Sequence, residues 1–332
     1  MADKFRVVIT DFIIEDLCPE HEHLDDIANI DCLNAFSEAE LEGRIEDADA
    51  VMVYHSLEFT KTTIDRLEKC RIIVRPGVGY DNVDAKAARD RGIPVVNVPD
   101  YGTEEVADSA IGLTLALTRG ISPLNVLLRD NPDAEWKQSH VEPLPRLRGR
   151  VFGIIGIGRI GTAAARRAQA LGMDVVFYDP YLDDGYDKAI GVRRVDTLDE
   201  LLEQSYVVSP HCPLTEETHH MIDAEAISKM PSGSFLVNTS RGGVVDTSAI
   251  PAALASGHLA GAGIDVLVLE PPKQDDPLLV AWRDPNHAAH HRLIVNPHSA
   301  FYCHEGMIDM RTKGAISCRR GLLGEPLRNV VN

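Results

Sequence analysis

The amino-acid sequence predicts an α/β protein built from two doubly wound parallel sheets. Short apolar segments rich in β-branched residues alternate with helix-compatible segments along the chain, which is typical of βαβ units. A long helical run from Thr103 and a polar, proline-bearing stretch at 130–150 interrupt this alternation once. Because 332 residues exceed the usual size of a single hydrophobic core, we expect two domains, with function in a cleft between them.

One series of elements precedes the interruption and another follows it. The first series has predicted strands at 5–10, 50–54, 71–75 and 94–98, with predicted helices at 38–45, 63–69 and 84–91. The second series has predicted strands at 151–155, 174–178, 206–209, 234–238, 261–266 and 293–296. Its predicted helices lie at 160–170, 198–203, 224–230, 247–255 and 305–323.

Composition excludes several classes of protein. The formal charge of −18 opposes binding to nucleic acid or to an anionic membrane surface. No apolar run approaches the roughly 20 residues that a membrane span needs, and the first residues lack the apolar region of a signal peptide. The six cysteines are scattered without a CxxC pair, which favours reduced thiols over disulfides or a zinc site. We therefore expect a cytoplasmic protein.

A glycine-rich turn predicts a dinucleotide site. The segment Gly156-Ile157-Gly158-Arg159-Ile160-Gly161 follows a predicted strand and opens a predicted helix. Gly156 permits the tight turn, Gly158 lets the backbone approach a pyrophosphate, and Gly161 lets the helix pack closely on the sheet. Asp179 ends the next strand, where its carboxylate can accept both ribose hydroxyls but would repel a 2′-phosphate. The pattern favours NAD over NADP; a structural turn is the alternative for the glycines, and a strand-end turn acid for Asp179.

Three side chains in the second series fit the needs of hydride transfer to a keto acid. Arginine binds a carboxylate through a bidentate fork, and histidine is a general acid or base near neutral pH. Arg241, Glu270 and His298 each follow a predicted strand, and the carboxyl ends of parallel strands line the ligand crevice. Spacing alone leaves other roles open: a surface ion pair for Arg241, a solvated Glu270 and a packed His298.

Four ordered motifs carry a resemblance to a known family. The runs GIIGIGRIG…YDP, LVNTSRGGVVD, GIDVLVLEPP and NPHSA resemble the D-isomer-specific 2-hydroxyacid dehydrogenases over nearly the whole chain. Within that family the chain is most similar to the C-terminal-binding-protein branch. The segments that carry this closer resemblance are VYHSLEFT, RIIVRPGVGYDNVD, NVPDYGTEEVADS and FYDPYLDDG.

The resemblance implies roles for individual residues. Arg241 would bind the substrate carboxylate and polarise the keto oxygen, while His298 would donate the proton in reduction. Glu270 would hydrogen-bond His298, stabilise the imidazolium form and fix its tautomer. Asp265 would lie near the nicotinamide. The other implied cofactor-lining positions are Cys212, Pro213, Thr218, Thr239 and Ser240. The implied substrate-facing positions are Gly77, Val78, Gly79 and Phe301, with Arg75 and His55 open to structural roles as well.

The resemblance also implies an architecture and an assembly. Residues 1–102 and 302–332 would form a flavodoxin-like substrate domain, and residues 103–301 a Rossmann NAD-binding domain. Members of the family are usually homodimers through the NAD-binding domain, and we expect the same here. The expected activity is that of an NAD-dependent D-2-hydroxyacid dehydrogenase (EC 1.1.1.-) acting on a small 2-keto or 2-hydroxy acid.

Several features leave alternatives open. The corepressors of the C-terminal-binding-protein branch have tryptophan where this chain has Phe301. Their preference for bulky keto acids therefore does not transfer directly to this chain. His287, His290 and His291 suggest a metal site, but the chemistry needs no metal, so we expect none and interpret 273–292 as a solvated loop. An NAD-sensing, corepressor-like scaffold with vestigial activity is the alternative function. Phosphoglycerate dehydrogenase is disfavoured here because no regulatory domain follows residue 332.

Overall fold

The computed structural model describes residues 4–14, 16–141 and 144–332. The chain divides into two compact units, one of Met1–Gly102 with Tyr302–Asn332 and one of Thr103–Phe301. The strands are β1 (Phe5–Ile9), β2 (Ala28–Cys32), β3 (Ala50–Met52), β4 (Ile72–Arg75), β5 (Val95–Asn97), β6 (Val151–Ile155), β7 (Asp174–Tyr178), β8 (Arg193–Arg194), β9 (Val207–Pro210), β10 (Ser234–Asn238), β11 (Leu259–Ile264) and β12 (Leu293–Val295). The α-helices are α1 (Cys18–Leu24), α2 (Lys61–Arg66), α3 (Ala85–Asp90), α4 (Thr103–Thr118), α5 (Ile121–Asp130), α6 (Arg159–Ala170), α7 (Tyr186–Ile190), α8 (Leu198–Gln204), α9 (Ala224–Lys229), α10 (Ile250–Ala255), α11 (Pro277–Arg283), α12 (Ala289–Arg292) and α13 (His304–Leu323).

The first unit is a parallel sheet of five strands in the order β2-β1-β3-β4-β5. Because successive strand residues point to opposite faces, each strand supplies two cores. Val8 belongs to the core on one face, whereas Val7 and Ile9 belong to the core on the other face, together with apolar residues of α13. A buried ion pair of 2.6 Å between Glu20 and Arg311 joins α1 to α13.

The second unit is a parallel sheet of seven strands in the order β12-β11-β10-β9-β6-β7-β8. Phe152 and Ile154 of β6 enter the core that contains α4 and α6, while Ile155 enters the core on the opposite face. The chain runs outward from β6 through β7 to β8, and then returns to β9 on the other side of β6. This reversal is the topological switch point at which open α/β sheets bind ligands. The prediction of two parallel-sheet α/β units is confirmed.

The predicted helical run from Thr103 is α4, and it is followed by α5, which was not predicted from the sequence. α4 and α5 meet at Gly120, whose φ of +68° lies in the left-handed region that glycine adopts without steric cost. The two helix axes differ by 59°. Among the described residues no single helix is long and apolar enough to cross a membrane, and this bent pair alone passes that test, by length and composition.

The segment 273–292 differs from the solvated loop that we expected. It contains the helices α11 and α12 within the second unit. Leu278 and Leu279 of α11 and Ala289 of α12 are buried. His290 bridges α12 to α5, with its Nε2 2.8 Å from a carboxylate oxygen of Asp130. The segment 273–292 therefore contains two helices packed in the second unit, and His290 joins α12 to α5.

Candidate active site

The glycine turn after β6 fits a dinucleotide pyrophosphate. Gly156 has a φ of +86°, and a Cβ there would lie 2.9 Å from the backbone nitrogen of Cys212. A Cβ on Gly161 would lie 2.3 Å from the carbonyl oxygen of Gly156, so only glycine lets α6 approach this closely. A Cβ on Gly158 would meet nothing within 4 Å, which leaves open space over the first residues of α6, Arg159 and Ile160. Anions are stabilised at such a helix N-terminus by its amide groups and dipole.

Asp179 lies beside this turn. Its carboxylate accepts hydrogen bonds of 3.1 Å from the backbone N–H groups of Ile157 and Tyr181. Arg194, which sequence analysis did not identify, donates to the carbonyl oxygens of Asp179 and Leu182 at 2.8 and 2.9 Å. The arginine therefore anchors the loop after β7 and keeps the Asp179 carboxylate next to the glycine turn.

Residues after β9 form the wall opposite the turn. The backbone of Cys212 contacts Gly156, and burial raises the pKa of the Cys212 thiol to about 12, so this cysteine is a neutral packing group. The Thr218 hydroxyl donates to the carbonyl oxygen of Pro213 at 2.6 Å and closes the turn between them. Burial lowers the pKa of His211 to about 4, which keeps its imidazole uncharged beneath this wall.

The loop after β10 carries Thr239, Ser240 and Arg241. The Ser240 hydroxyl donates to the side-chain oxygen of Asn238 at 2.9 Å, and the Asn238 amide donates to the carbonyl oxygen of Arg241 at 2.9 Å. The buried Thr239 hydroxyl oxygen has no hydrogen-bond partner within the described parts of the chain. A buried, unpartnered hydroxyl at the carboxyl end of β10, in the same sheet as the glycine turn, is a feature that a bound cofactor would satisfy.

Gly242 brings this loop against the loop that follows β11. A Cβ on Gly242 would lie 2.0 and 2.1 Å from the carbonyl carbon and oxygen of Leu267, and 2.5 Å from the nitrogen of Val268. No side chain fits there without moving backbone atoms. The Leu267 N–H in turn donates to Oε1 of Glu270 at 2.8 Å. The loops that carry Arg241 and Glu270 are therefore in direct backbone contact.

Glu270 and His298 are joined by a hydrogen bond of 2.6 Å between Oε2 and Nδ1. Burial opposes ionisation of Glu270, but His298, the Leu267 N–H and the charge of Arg241 together hold its pKa below the ordinary value. The ring of Phe301 meets the imidazole edge to face, with centroids 6.0 Å apart. The unit thus brings an ionised carboxylate, a histidine and an aromatic ring together.

Asp265 holds the loop that carries His298. Its carboxylate, 1% exposed, accepts the N–H groups of Ser299 and Ala300 at 3.0 Å each. Its carbonyl oxygen accepts the His298 N–H at 2.7 Å, and His298 has a φ of +51°. Burial raises the pKa of Asp265 against the opposing effect of these two N–H groups. Non-glycine residues in the left-handed region are uncommon, and strain of this kind clusters at functional sites.

The first unit places Arg75 and the glycine loop at the end of β4. Arg75 is 7% exposed, and its Nε donates to the side-chain oxygen of Asn82 at 3.3 Å. A Cβ on Gly77 would lie 1.5 Å from the Arg75 guanidinium, so glycine there makes room for the cation. The carbonyl oxygen of Val78 accepts a hydrogen bond of 2.7 Å from Asn97, and the partly buried Gly79 follows it.

His55 lies in the loop after β3 of the same unit and is exposed. Its ring packs against Phe12, with centroids 4.4 Å apart. Sequence analysis did not identify Phe12, Asp11 or Asn82, although all three support this loop. Each is separated from His55 by many residues, and no motif links them.

Comparisons with known proteins show which family this chain resembles. A family model described as "D-isomer specific 2-hydroxyacid dehydrogenase, NAD binding domain" matches residues 111–300. D-3-phosphoglycerate dehydrogenase of Methanocaldococcus jannaschii is 34% identical over 327 residues, which cover 98% of this chain but only 59% of that protein. Glyoxylate reductase of Korarchaeum cryptofilum is 39% identical over 293 residues, covering 86% of this chain and 84% of that protein. The crystal structure of D-lactate dehydrogenase from Aquifex aeolicus, complexed with NAD and lactic acid, superposes with a TM-score of 0.79 at 27% identity and 96% coverage of both chains.

Proposed function

The chain belongs to the D-isomer specific 2-hydroxyacid dehydrogenase family, and from that premise we propose that it interconverts a 2-keto acid and a D-2-hydroxy acid with NAD as cofactor. The observation that carries this proposal is the Glu270–His298 pair, 2.6 Å long, in a loop fixed by Asp265. A carboxylate that engages one ring nitrogen of histidine leaves proton exchange to the other nitrogen. The pair therefore has the geometry of a general acid and its orienting group.

The chemistry divides between cofactor and protein. When bound, NADH supplies the hydride that reduces C2 of the keto acid. Arg241 holds the substrate carboxylate and polarises the keto oxygen, because a guanidinium binds a carboxylate through two parallel hydrogen bonds. His298 delivers a proton from Nε2 to that oxygen as the carbonyl π electrons move onto it. Glu270, ionised at neutral pH, accepts Nδ1–H and balances the imidazolium charge before the proton leaves.

The proposed cofactor contacts all lie in the second unit. Gly156, Gly158 and Gly161, with the N-terminal amides of Arg159 and Ile160, would hold the pyrophosphate. Asp179 would accept the ribose hydroxyls and repel a 2′-phosphate. Cys212, Pro213 and Thr218 would line the adenosine side, and Thr239, Ser240 and Asp265 the nicotinamide side. Residues 103–301 thus act as the NAD-binding domain in this proposal.

Residues 1–102 and 302–332 act as the substrate domain in the same proposal. Arg75, His55 and the backbone of Gly77, Val78 and Gly79 would contact the substrate, as would Phe301 from the NAD-binding domain. The relatives named above act on different acids by their names, so the keto acid itself stays undefined. One of them is a D-3-phosphoglycerate dehydrogenase, of whose length this chain covers 59%.

We also propose a homodimer in the cytoplasm. α5 carries Ile121, Leu124, Val126, Leu127 and Leu128, yet none of its residues is buried. A second copy packed on this helix would remove that apolar surface from water, which is the usual driving force for association. All six cysteines are free thiols, as is common in a reducing compartment. Light scattering of the purified protein measures the assembly directly.

The test of the catalytic proposal is NADH oxidation against a panel of 2-keto acids, with the variants His298→Gln and His140→Gln side by side. We expect His298→Gln to lose about 10²- to 10⁴-fold in kcat because general acid catalysis contributes that much. The exposed His140 serves as the matched control, and its variant should retain wild-type turnover. Unchanged NADH affinity in both variants separates lost chemistry from lost folding. Full activity in His298→Gln would contradict the assignment.

The closer resemblance to the C-terminal-binding-protein branch predicts a different outcome of the same assay. A nucleotide-sensing scaffold would bind NADH tightly while turning over no keto acid in the panel. The Glu270–His298 pair fits both functions, because the corepressors retain it, but the relatives named above are enzymes by their names, which favours turnover. We therefore retain the branch as a proposal about relatedness and the dehydrogenase as the function.

A further inference from the structure

An aromatic cluster at the carboxyl edge of the first sheet is not explained by the roles proposed above. Phe12 follows β1 and has a φ of +67°, a conformation that is costly for a bulky side chain. Its ring lies 4.4 Å from that of His55 and 5.6 Å from that of Tyr54, measured between centroids. A strained aromatic residue persists only where surrounding contacts fix it, and such strain clusters at ligand sites.

A buried carboxylate fixes this cluster from one side. Asp11 is 0% exposed, and its side chain accepts the N–H groups of Tyr54 and Ser56 at 2.8 and 2.7 Å. The Thr10 hydroxyl donates to the same carboxylate at 2.6 Å. The hydrogen bonds to Tyr54 and Ser56 hold the backbone on both sides of His55. They connect this loop to the segment that carries Phe12. Charge-assisted hydrogen bonds of this kind are about twice as strong as neutral ones.

An amide fixes the cluster from the other side. Asn82 donates to the carbonyl oxygens of Tyr54 and Leu57 at 2.9 Å each, so both flanks of His55 are held again. The oxygen of the same amide accepts the Nε–H of Arg75 at 3.3 Å. The His55 loop and the Arg75 cation therefore share one anchor, and neither can shift independently of the other.

The three segments lie at neighbouring strand ends. Phe12 follows β1, His55 follows β3 and Arg75 ends β4, and these strands are adjacent in the sheet order β2-β1-β3-β4-β5. The carboxyl edge of a parallel sheet is where α/β proteins bind ligands. His55 is exposed and Phe12 is half-buried, so their rings present apolar surface there. The carboxylate of Asp11 and the amide of Asn82 are occupied by backbone groups.

We propose that Phe12, with the ring of His55, contacts the substituent on C3 of the substrate and selects 2-keto acids with an apolar side chain over glyoxylate. This inference rests on the proposed dehydrogenase function and names the substrate class of that same site. The two rings form an apolar surface without a directional polar partner. Binding to such a surface becomes stronger as methylene groups are added to the substrate side chain.

The test compares kcat/KM across glyoxylate, pyruvate, 2-ketobutyrate, 2-ketoisocaproate and phenylpyruvate with NADH as reductant. The wild-type value should rise with the apolar substituent. Phe12→Ala should lose about 10- to 100-fold on the two largest acids, because one methylene in a hydrophobic pocket changes discrimination by that order. Its value on glyoxylate should not change. Phe12→Leu, which keeps apolar area, should retain most of the wild-type preference.

Two further variants keep the result interpretable. Phe12→Asn removes apolar area but tolerates positive φ, so it should reproduce the Phe12→Ala pattern even where alanine destabilises the fold. Phe36→Ala, at a phenylalanine that is 71% exposed in the same unit, should leave every value unchanged. An unaltered Tm checks that each variant is folded, because NADH binding is assigned to the other unit.

The outcomes separate this inference from the proposed function. An equal loss on all five acids, or no loss on any, overturns the role of Phe12 while leaving the dehydrogenase standing. A wild-type preference for glyoxylate overturns the substrate class in the same way. Absence of wild-type turnover on every acid, with NADH bound, overturns the proposed function, and the inference falls with it.

Discussion

The carboxyl edges of the two sheets differ in how they hold their side chains. In the second unit, Arg241, Asp265 and His298 follow the adjacent strands β10, β11 and β12. The Glu270 carboxylate lies 2.6 Å from the His298 imidazole, and the Asp265 carboxylate accepts the Ser299 N–H at 3.0 Å. In the first unit, three adjacent strands end in Phe12, His55 and Arg75, which are anchored through a buried carboxylate and an amide. In the proposed mechanism the reaction restricts the residue types at the edge of the second unit, whereas Phe12 and His55 at the edge of the first unit offer mainly apolar contact area.

The largest effect should come from the carboxylate-binding cation of the second unit. Arg241→Ala should lower kcat/KM for the best keto acid by about 10²-fold or more, because truncating one partner of a desolvated charge pair costs several kcal/mol. Arg283→Ala, at the exposed end of α11, should leave kcat/KM unchanged. A larger loss in Arg75→Ala than in Arg241→Ala would reverse the comparison and assign carboxylate binding to the first unit.

An intermediate effect should come from the buried carboxylate of the first unit. Asp11→Asn replaces an acceptor of three hydrogen bonds by an amide whose NH2 opposes a backbone N–H. We expect the free energy of unfolding to fall by about 1–3 kcal/mol, the cost of a buried polar group left unsatisfied. The KM for the keto acid should rise, while the dissociation constant of NADH stays the same.

The matched control for Asp11→Asn is Asp90→Asn, at an exposed position that ends α3 in the same unit. It should change neither the free energy of unfolding nor the KM. If Asp11→Asn instead weakened NADH binding and left the KM unaltered, the assignment of substrate binding to the first unit and of NADH binding to the second would be wrong.

The smallest effect should be a pH dependence of stability at Glu270. Its folded-state pKa is depressed, so its ionised contacts stabilise the fold above the ordinary glutamate pKa of about 4.3 and are lost as the pH falls through the folded value. The Tm difference between wild type and Glu270→Gln should therefore shrink from about pH 7 to about pH 3. The side chain is 34% exposed, so screening keeps the difference modest. Parallel Tm curves would contradict the Glu270–His298 hydrogen bond.

The sequence predicted the parts of the fold in which local pattern and tertiary environment agree. β6, β7 and β10 have apolar centres of β-branched, leucine and aromatic residues, and their observed bounds equal the predicted ones. β2 was missed because Asn29 and Asp31 interrupt its apolar pattern at a partly exposed strand. α1 was missed because its sequence CPEHEHL is polar, and its buried Glu20 is compensated by Arg311 nearly the whole chain away.

The candidate site likewise contains residues that the sequence predicts and residues that it does not. The glycine turn and the strand-end positions of Arg241, Glu270 and His298 are visible in the sequence because the chemistry restricts which residues serve. Arg194, Asp11 and Asn82 act through backbone groups that lie 12 to 45 residues away, and any polar residue at such a distance is an equal candidate. Their roles depend on contacts that only the folded chain defines.

The backbone contact at Gly242 has a consequence for protein engineering. Because a side chain at this position would overlap Leu267, an insertion or a larger residue in either loop would displace both Arg241 and Glu270 together. A library that seeks new substrates should therefore leave 241–242 and 267–270 unchanged. Diversity belongs at position 12 and its neighbours, where a change of side chain can alter selectivity while the reacting groups keep their geometry.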